Sequence, residues 1–108
     1  MAIVFEDFAK IELRTGKIVS AAPLEGANKL LKLEVEVGTE KREIIAGIAK
    51  DYAPADIVGK TVIVLVNIEP KQLRGATSNG MVLAATNEAG GAVLLTTDKP
   101  INTGAKVF

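Results

Sequence analysis

Cysteine, histidine and tryptophan are absent from this 108-residue chain, and tyrosine occurs once. Without thiols there can be no disulfide, thiolate nucleophile or thiolate zinc site, and without imidazole the commonest acid–base group at neutral pH is missing. No cofactor and no metal is expected. Charge of one sign is lacking too: Lys and Arg number 13, and so do Asp and Glu. The broad attraction of a strongly basic polyanion binder is therefore missing, although a few placed cations suffice for local phosphate contacts. No apolar run approaches the roughly 20 residues that cross a bilayer, and Met1 to Phe8 has no basic start leading into a long apolar stretch. The cytoplasm is the expected location, with no membrane partner.

What the chain does have is a series of short apolar runs punctuated by single glycines and prolines, without repeats or low-complexity tracts. Its length suits one domain spanning residues 1–108. Phe5 to Lys10 can form one helical turn, and Ile11 to Ala21 reads as a strand interrupted by Gly16. A glycine inside a strand often marks a bulge, so Leu13 is expected to point inward before it and Ile18 inward after it. Leu31 to Val37 alternates apolar and charged residues strictly, the pattern of a half-buried antiparallel strand. Gly38 to Lys41 is a turn, and Arg42 to Ile48 returns as the partner strand. Asp51 to Gly59 reads as a loop and short helix, with Pro54 in the first turn and Gly59 as the stop. Thr61 to Asn67 is a nearly continuous β-branched run, expected to be buried on both sides.

Glu69 to Asn79 reads as polar and irregular, Gly80 to Thr86 as another strand, and Ala92 to Thr96 as a last strand after a glycine turn. Ile101, Val107 and Phe108 are expected to close the tail by apolar contact. Three strands, a short helix and two further strands follow the order of the oligonucleotide-binding fold. The predicted class is therefore all-β: a five-stranded Greek-key barrel with a short helix between strands 3 and 4 and a C-terminal hairpin and tail.

An enzymatic reading fails for want of titratable groups in unusual surroundings. Glu34 and Glu36 share one strand face about 7 Å apart by strand geometry, and read as a solvated outer face rather than a catalytic pair. No glycine-rich loop opens a helix to cradle phosphate. A binding reading fares better. Lys29, Lys32, Arg42, Lys71 and Arg74 fall at loop edges and on outward positions of the second and third strands, with Arg14 and Lys17 outward on the first. These residues can line one cationic face, or form a mixed solvated surface, since Glu34 and Glu36 interrupt it. With one tyrosine and three phenylalanines near the chain ends, successive base stacking is not expected. A ligand recognised by folded shape and backbone suits the surface better. The densest run of hydrogen-bond donors is Lys71 to Met81, a loop between two apolar strands that includes Ser78 and Asn79; there Gly75 and Gly80 can also simply shape turns, and Met81 fill the core.

The string from Asn67 to Ala85, NIEPKQLRGATSNGMVLAA, resembles the signature of the tRNA-binding domain family, which includes the C-terminal domain of methionyl-tRNA synthetases and free-standing structure-specific tRNA-binding proteins. DFAKIELRTGKI (Asp7 to Ile18), NKLLKLEVEVG (Asn28 to Gly38) and EIIAGIAKDYAPADIVGK (Glu43 to Lys60) occur in the family's order and spacing. Departures are small: Asn28 stands where Asp is frequent, Ala46 where Ser is frequent, and Thr15 where valine is usual. The resemblance implies a barrel with a C-terminal extension that helps form a homodimer, binding the outer corner of tRNA without reading its sequence and assisting aminoacylation by a synthetase. By position it assigns Ser78 and Met81 to the binding motif with Asn79 between them, Lys71 and Arg74 beside it, Asn28 and Lys29 to the loop before the second strand, and Arg42 to the start of the third. Lys32 and Arg14 join as outward cations. The alternatives are a dimerisation or assembly module of a synthetase complex, or a polypeptide binder like the export-associated chaperones that resemble the same family.

Overall fold

The computed structural model describes residues 1–108. Helix α1 (Phe5–Ala9) buries no residue. Strand β1 (Leu13–Pro23) follows, then β2 (Leu31–Val37) and β3 (Glu40–Ala46), joined by a tight turn at Gly38 and Thr39. Alternation in β2 matches the structure residue for residue: Leu31, Leu33, Val35 and Val37 are buried, while Lys32 and Glu34 are exposed. Helix α2 (Pro54–Ile57) starts at its proline and plugs the barrel with Ile57, which is fully buried. Strand β4 (Thr61–Leu65) buries Val62, Ile63 and Val64, consecutive residues that cover both faces as expected.

The long sheet runs β3-β2-β1-β4-β7, where β7 is Met81–Val82. β1 is its hub. Leu13 to Lys17 pair with β4, and Lys17 to Pro23 pair with β2. Gly16 sits where one pairing gives way to the other. A Cβ there would lie 2.8 Å from Val35 Cγ1 and 3.0 Å from Val64 Cγ2, so the absent side chain lets two strands' valines meet across the bend. The expected bulge at this glycine is found instead at Val19, where the register with β2 shifts between Ile18 and Ser20. Gly16 itself keeps regular register with Val62, because its work is close packing rather than chain insertion. Ile18 is fully buried as expected, whereas Leu13 is only half-buried beside the tail.

The core gathers Ile18, Leu33, Val35, Ile44, Ile57, Val62 and Val64 with their neighbours in one cluster. Each such side chain stabilises the fold by roughly 1.5–3 kcal/mol relative to exposure.

Of two further hairpins, one was expected and one was not. Strands β5 (Lys71–Leu73) and β6 (Ala76–Ser78) form an antiparallel hairpin where the sequence reads as irregular. Its two-residue turn, Arg74 and Gly75, has φ of 51° and 81°, the left-handed pair that matches strand twist. Strands β8 (Ala84–Thr86) and β9 (Ala92–Leu94) form the expected C-terminal hairpin, separated from β7 by Leu83. Asn87 Oδ1 accepts the N–H groups of Ala89 and Gly91, fixing the glycine turn.

The tail is held differently from expectation. Strand β10 (Lys106–Val107) pairs with Leu13 and Arg14, but Phe108 is 97% exposed and Ile101 47%. Hydrogen bonds do the holding. Thr15, 2% exposed, donates from Oγ1 to the Asn102 carbonyl and accepts there from the Ala105 N–H, while its backbone bonds Gly104 and Ala105. Gly104 then approaches Gly38 so closely that a Cβ on it would lie 2.9 Å from the Gly38 Cα.

Candidate nucleic-acid interface

Barrel closure between β3 and the β6–β7 segment does not use an ordinary strand ladder. Ser78 Oγ accepts the Ile45 N–H at 2.9 Å and donates to the Gly80 carbonyl at 3.0 Å, and the Asn79 N–H donates to the Glu43 carbonyl at 2.8 Å. Ser78 is buried and both functions of its hydroxyl are occupied, so it fastens the β5–β6 hairpin to the barrel. Gly80, at φ of 139° and with the Leu65 carbonyl 3.1 Å from a hypothetical Cβ, makes the turn from this seam into β7. Arg42 completes the seam: Nη1 donates to the Val66 and Asn79 carbonyls at 2.9 and 3.1 Å, and Nε to Glu40 Oε1 at 2.8 Å.

Three ion pairs occur: Lys10 with Asp7, Arg14 with Glu12 and Arg42 with Glu40. Arg14 also reaches the Gly104 carbonyl. Two of the three arginines expected at the site, Arg14 and Arg42, thus have their charge matched and their donors engaged, and they line one cleft with Glu12 and Glu40 near Gly38. Lys29, Lys32, Lys71 and Arg74 make no ion pair and are exposed. Met81 is 46% exposed, so it does not fill the core, and it lines an apolar groove with Ile45 to Ile48, Val82 to Ala84 and Ala92.

The outer face of β1, β2 and β3 is of mixed sign. Cross-strand partners place Glu36 beside Lys17 and Lys41, and Glu34 beside Glu43 and Ser20, with Lys32 next to Ala22 and Ile45. The strand faces therefore give no continuous cationic strip: unpaired lysines on strands, such as Lys17, Lys32 and Lys41, are interrupted by Glu34, Glu36 and Glu43. In the loop before β2, the Lys29 carbonyl accepts the Ala49 N–H, tying it to the loop after β3. Between these loops lies the largest groove, about 590 Å³, walled by Asn28, Leu30, Lys50, Asp51, Tyr52 and Pro54 among others. Asn28 was expected at the site; Lys50 and Tyr52, which line the groove with it, were not. Nothing in their local pattern distinguishes them, since the groove arises only when two distant loops meet.

The curled sheet, closed at the Ser78 seam and capped by Ile57 of α2, defines a barrel of the oligonucleotide-binding type. Residues 13–106 match the family described as "Putative tRNA binding domain", and the chain belongs to that family. It is 47% identical over 105 residues to the methionine–tRNA ligase of Caldanaerobacter subterraneus subsp. tengcongensis, covering 97% of this chain but 16% of that protein. Against the methionine–tRNA ligase of Methanocaldococcus jannaschii, identity is 50% over 98 residues, covering 91% of this chain and 15% of the relative. The chain thus spans about one-sixth of the length of these relatives. Among solved structures, the MetRS related protein from Pyrococcus horikoshii superposes with a TM-score of 0.94 at 32% identity, covering 100% of this chain and 99% of that one. The chaperone CsaA from Bacillus anthracis str. Ames gives 0.92 at 31%, with both chains fully covered.

Proposed function

We propose that residues 1–108 act as one non-catalytic module that binds folded tRNA through Lys29, Lys32, Lys71 and Arg74, as a homodimer that assists a methionyl-tRNA synthetase. One observation carries the site assignment. Arg74 makes no ion pair, and it is the only non-glycine residue with positive φ, at 51° on the tip of a hairpin fastened to β3 by Ser78. Holding an L-residue in that region costs roughly 1–2 kcal/mol, and such strain is commonly found where a side chain is presented for a task. Lys71 stands on the same hairpin, directly opposite the anchoring Ser78. Arg14 and Arg42 are left to hold the barrel, and Ser78 and Asn79 to seat the hairpin. Met81, half-exposed on β7, and Asn28, exposed with no side-chain hydrogen bond, are the uncharged contacts. Membership of the family and the sequence likeness to methionine–tRNA ligases support tRNA as ligand and a synthetase as the assisted enzyme.

Dimerisation is supported by unsatisfied apolar surface. Helix α1 buries nothing, Ile3, Val4 and Phe5 are 65%, 60% and 75% exposed, and Phe108 is 97% exposed. Ile3, Val4 and Phe5 are consecutive, and contiguous exposed apolar surface is the kind that marks an interaction site. The test of tRNA binding is a filter titration of a folded tRNA transcript against an unstructured RNA of equal length. Preference for the folded transcript is the expected result, and equal affinity overturns the proposal. A second reading, polypeptide binding, is favoured by the apolar groove around Met81 and by the likeness to CsaA. Suppression of the aggregation of an unfolded protein, unaffected by competing tRNA, supports it over the first.

A further inference from the structure

The groove between the loop before β2 and the loop after β3 is not used by any of the contacts assigned above except Asn28. Tyr52, the only tyrosine, forms part of its wall while also packing against the hydrophobic core. The ring is anchored at both ends. Its backbone N–H donates to the Ile48 carbonyl at 3.0 Å, and its phenol oxygen accepts the Leu94 N–H of β9 at 3.0 Å. Asp51, the neighbouring acid, is turned onto the same hairpin, where Oδ2 accepts the Ala92 N–H at 3.0 Å. Lys50 beside it is exposed and makes no ion pair, and the Asn28 amide across the groove has no protein partner.

We propose that this groove takes one unpaired nucleotide of the bound RNA, with the base lying on the Tyr52 ring, the Asn28 amide on the base edge and Lys50 on the adjoining phosphate. The inference rests on the tRNA-binding reading and names a subsite for it. Three features select a nucleotide. A fixed aromatic wall offers a surface for stacking, a side-chain amide supplies a donor and an acceptor for a base edge, and a free ammonium matches a phosphate. The volume, about 590 Å³, falls in the ordinary range of small-molecule sites. A single platform sets the count: with one tyrosine and no tryptophan, the wall serves one base rather than a stacked run. Folded RNAs expose such bases in their loops, where proteins read them. Preorganisation follows from the Leu94 bond, which holds the ring in place before the ligand arrives.

Because Tyr52 is the sole tyrosine, ring-labelled tyrosine gives the native full chain one NMR reporter at this site. The probe is a tRNA transcript added to saturation, with affinities of the native chain, Tyr52→Phe and Tyr52→Leu measured in parallel. Stacking moves the ring resonances upfield. Tyr52→Leu then weakens tRNA binding about tenfold, and Tyr52→Phe, which keeps the ring, by no more than about twofold. If tRNA binds while the ring resonances stay in place or move downfield, the subsite is overturned and the tRNA-binding reading stands. An upfield shift with unaltered affinity in Tyr52→Leu also overturns it. Absence of tRNA binding removes both. Should Tyr52→Leu fail to fold, as judged by its thermal transition, Lys50→Ala replaces it as the affinity test: that side chain is exposed, makes no ion pair and belongs to the subsite alone, several-fold weaker binding is expected, and unchanged affinity overturns the subsite.

Discussion

Ser78→Ala separates a fastening role from a ligand-contact role for the central residue of the signature loop. The native hydroxyl satisfies the Ile45 N–H and the Gly80 carbonyl at a site that is 7% exposed. Alanine leaves both backbone groups without that partner. Each buried polar group left unpaired costs about 1–3 kcal/mol, so the loss of stability is roughly 2–4 kcal/mol, allowing for partial relaxation of the seam. At about 4–8 °C per kcal/mol for a domain of this size, the melting temperature should fall by roughly 8–30 °C. Urea denaturation followed by circular dichroism measures the loss directly, provided the slope with denaturant stays constant. Binding of tRNA, measured well below the lowered midpoint, should change little. A stability loss below about 0.5 kcal/mol, within the range of ordinary surface substitutions, refutes the seam argument. So does a large drop in tRNA affinity without loss of stability, which returns the hydroxyl to the ligand.

Other outcomes follow from the same geometry. With four unpaired cations on phosphate, log affinity for tRNA should fall against log salt with a slope of about −3.6, and Lys29→Ala combined with Arg74→Ala should bring it to about −1.8; an unchanged slope in filter binding removes both residues from the interface. Gly104→Ala places a Cβ 2.9 Å from the Gly38 Cα at a residue with φ of 84°; the tail should detach from β1, seen as faster amide exchange at Gly104 and Ala105, and native exchange rates argue against the clasp. Phe5→Asp, on a helix that buries nothing, should leave the fold intact while shifting sedimentation from dimer to monomer; a dimer that survives, or a native chain that is already monomeric, excludes α1 from the interface.

Much of the barrel was readable because its strands carry their burial in their pattern. Leu31 to Val37 alternates without a fault, so its period assigns it, and Thr61 to Leu65 is short and rich in β-branched residues, which marks a strand buried on both faces. Pro54 and Gly59 bracket α2 by their backbone preferences. The β5–β6 hairpin was illegible for the opposite reason: its strands are three residues each, show no alternation of burial, and are turned by an arginine in a conformation that arginine seldom adopts. Candidate site residues were found as residue types in loops, but their pairing was not. Glu12 and Glu40 lie two positions from Arg14 and Arg42, and only strand geometry shows that each acid and arginine share a face. Tyr52 and Lys50 were missed because their surroundings come from Asn28 and Leu94, residues far away in the chain.

Pairing of Leu13 with Val107 brings the first and last strands of the chain side by side, at the end of β1 remote from Pro23 and the loop that follows it. A larger polypeptide joined before residue 13 or after residue 107 would therefore leave from one pole, clear in either arrangement of the loop that carries Asn28 and Lys29. The same adjacency means that a short splice between the two ends, with new termini cut at the exposed Asn87 to Gly91 turn, should give a permuted chain with the barrel unchanged.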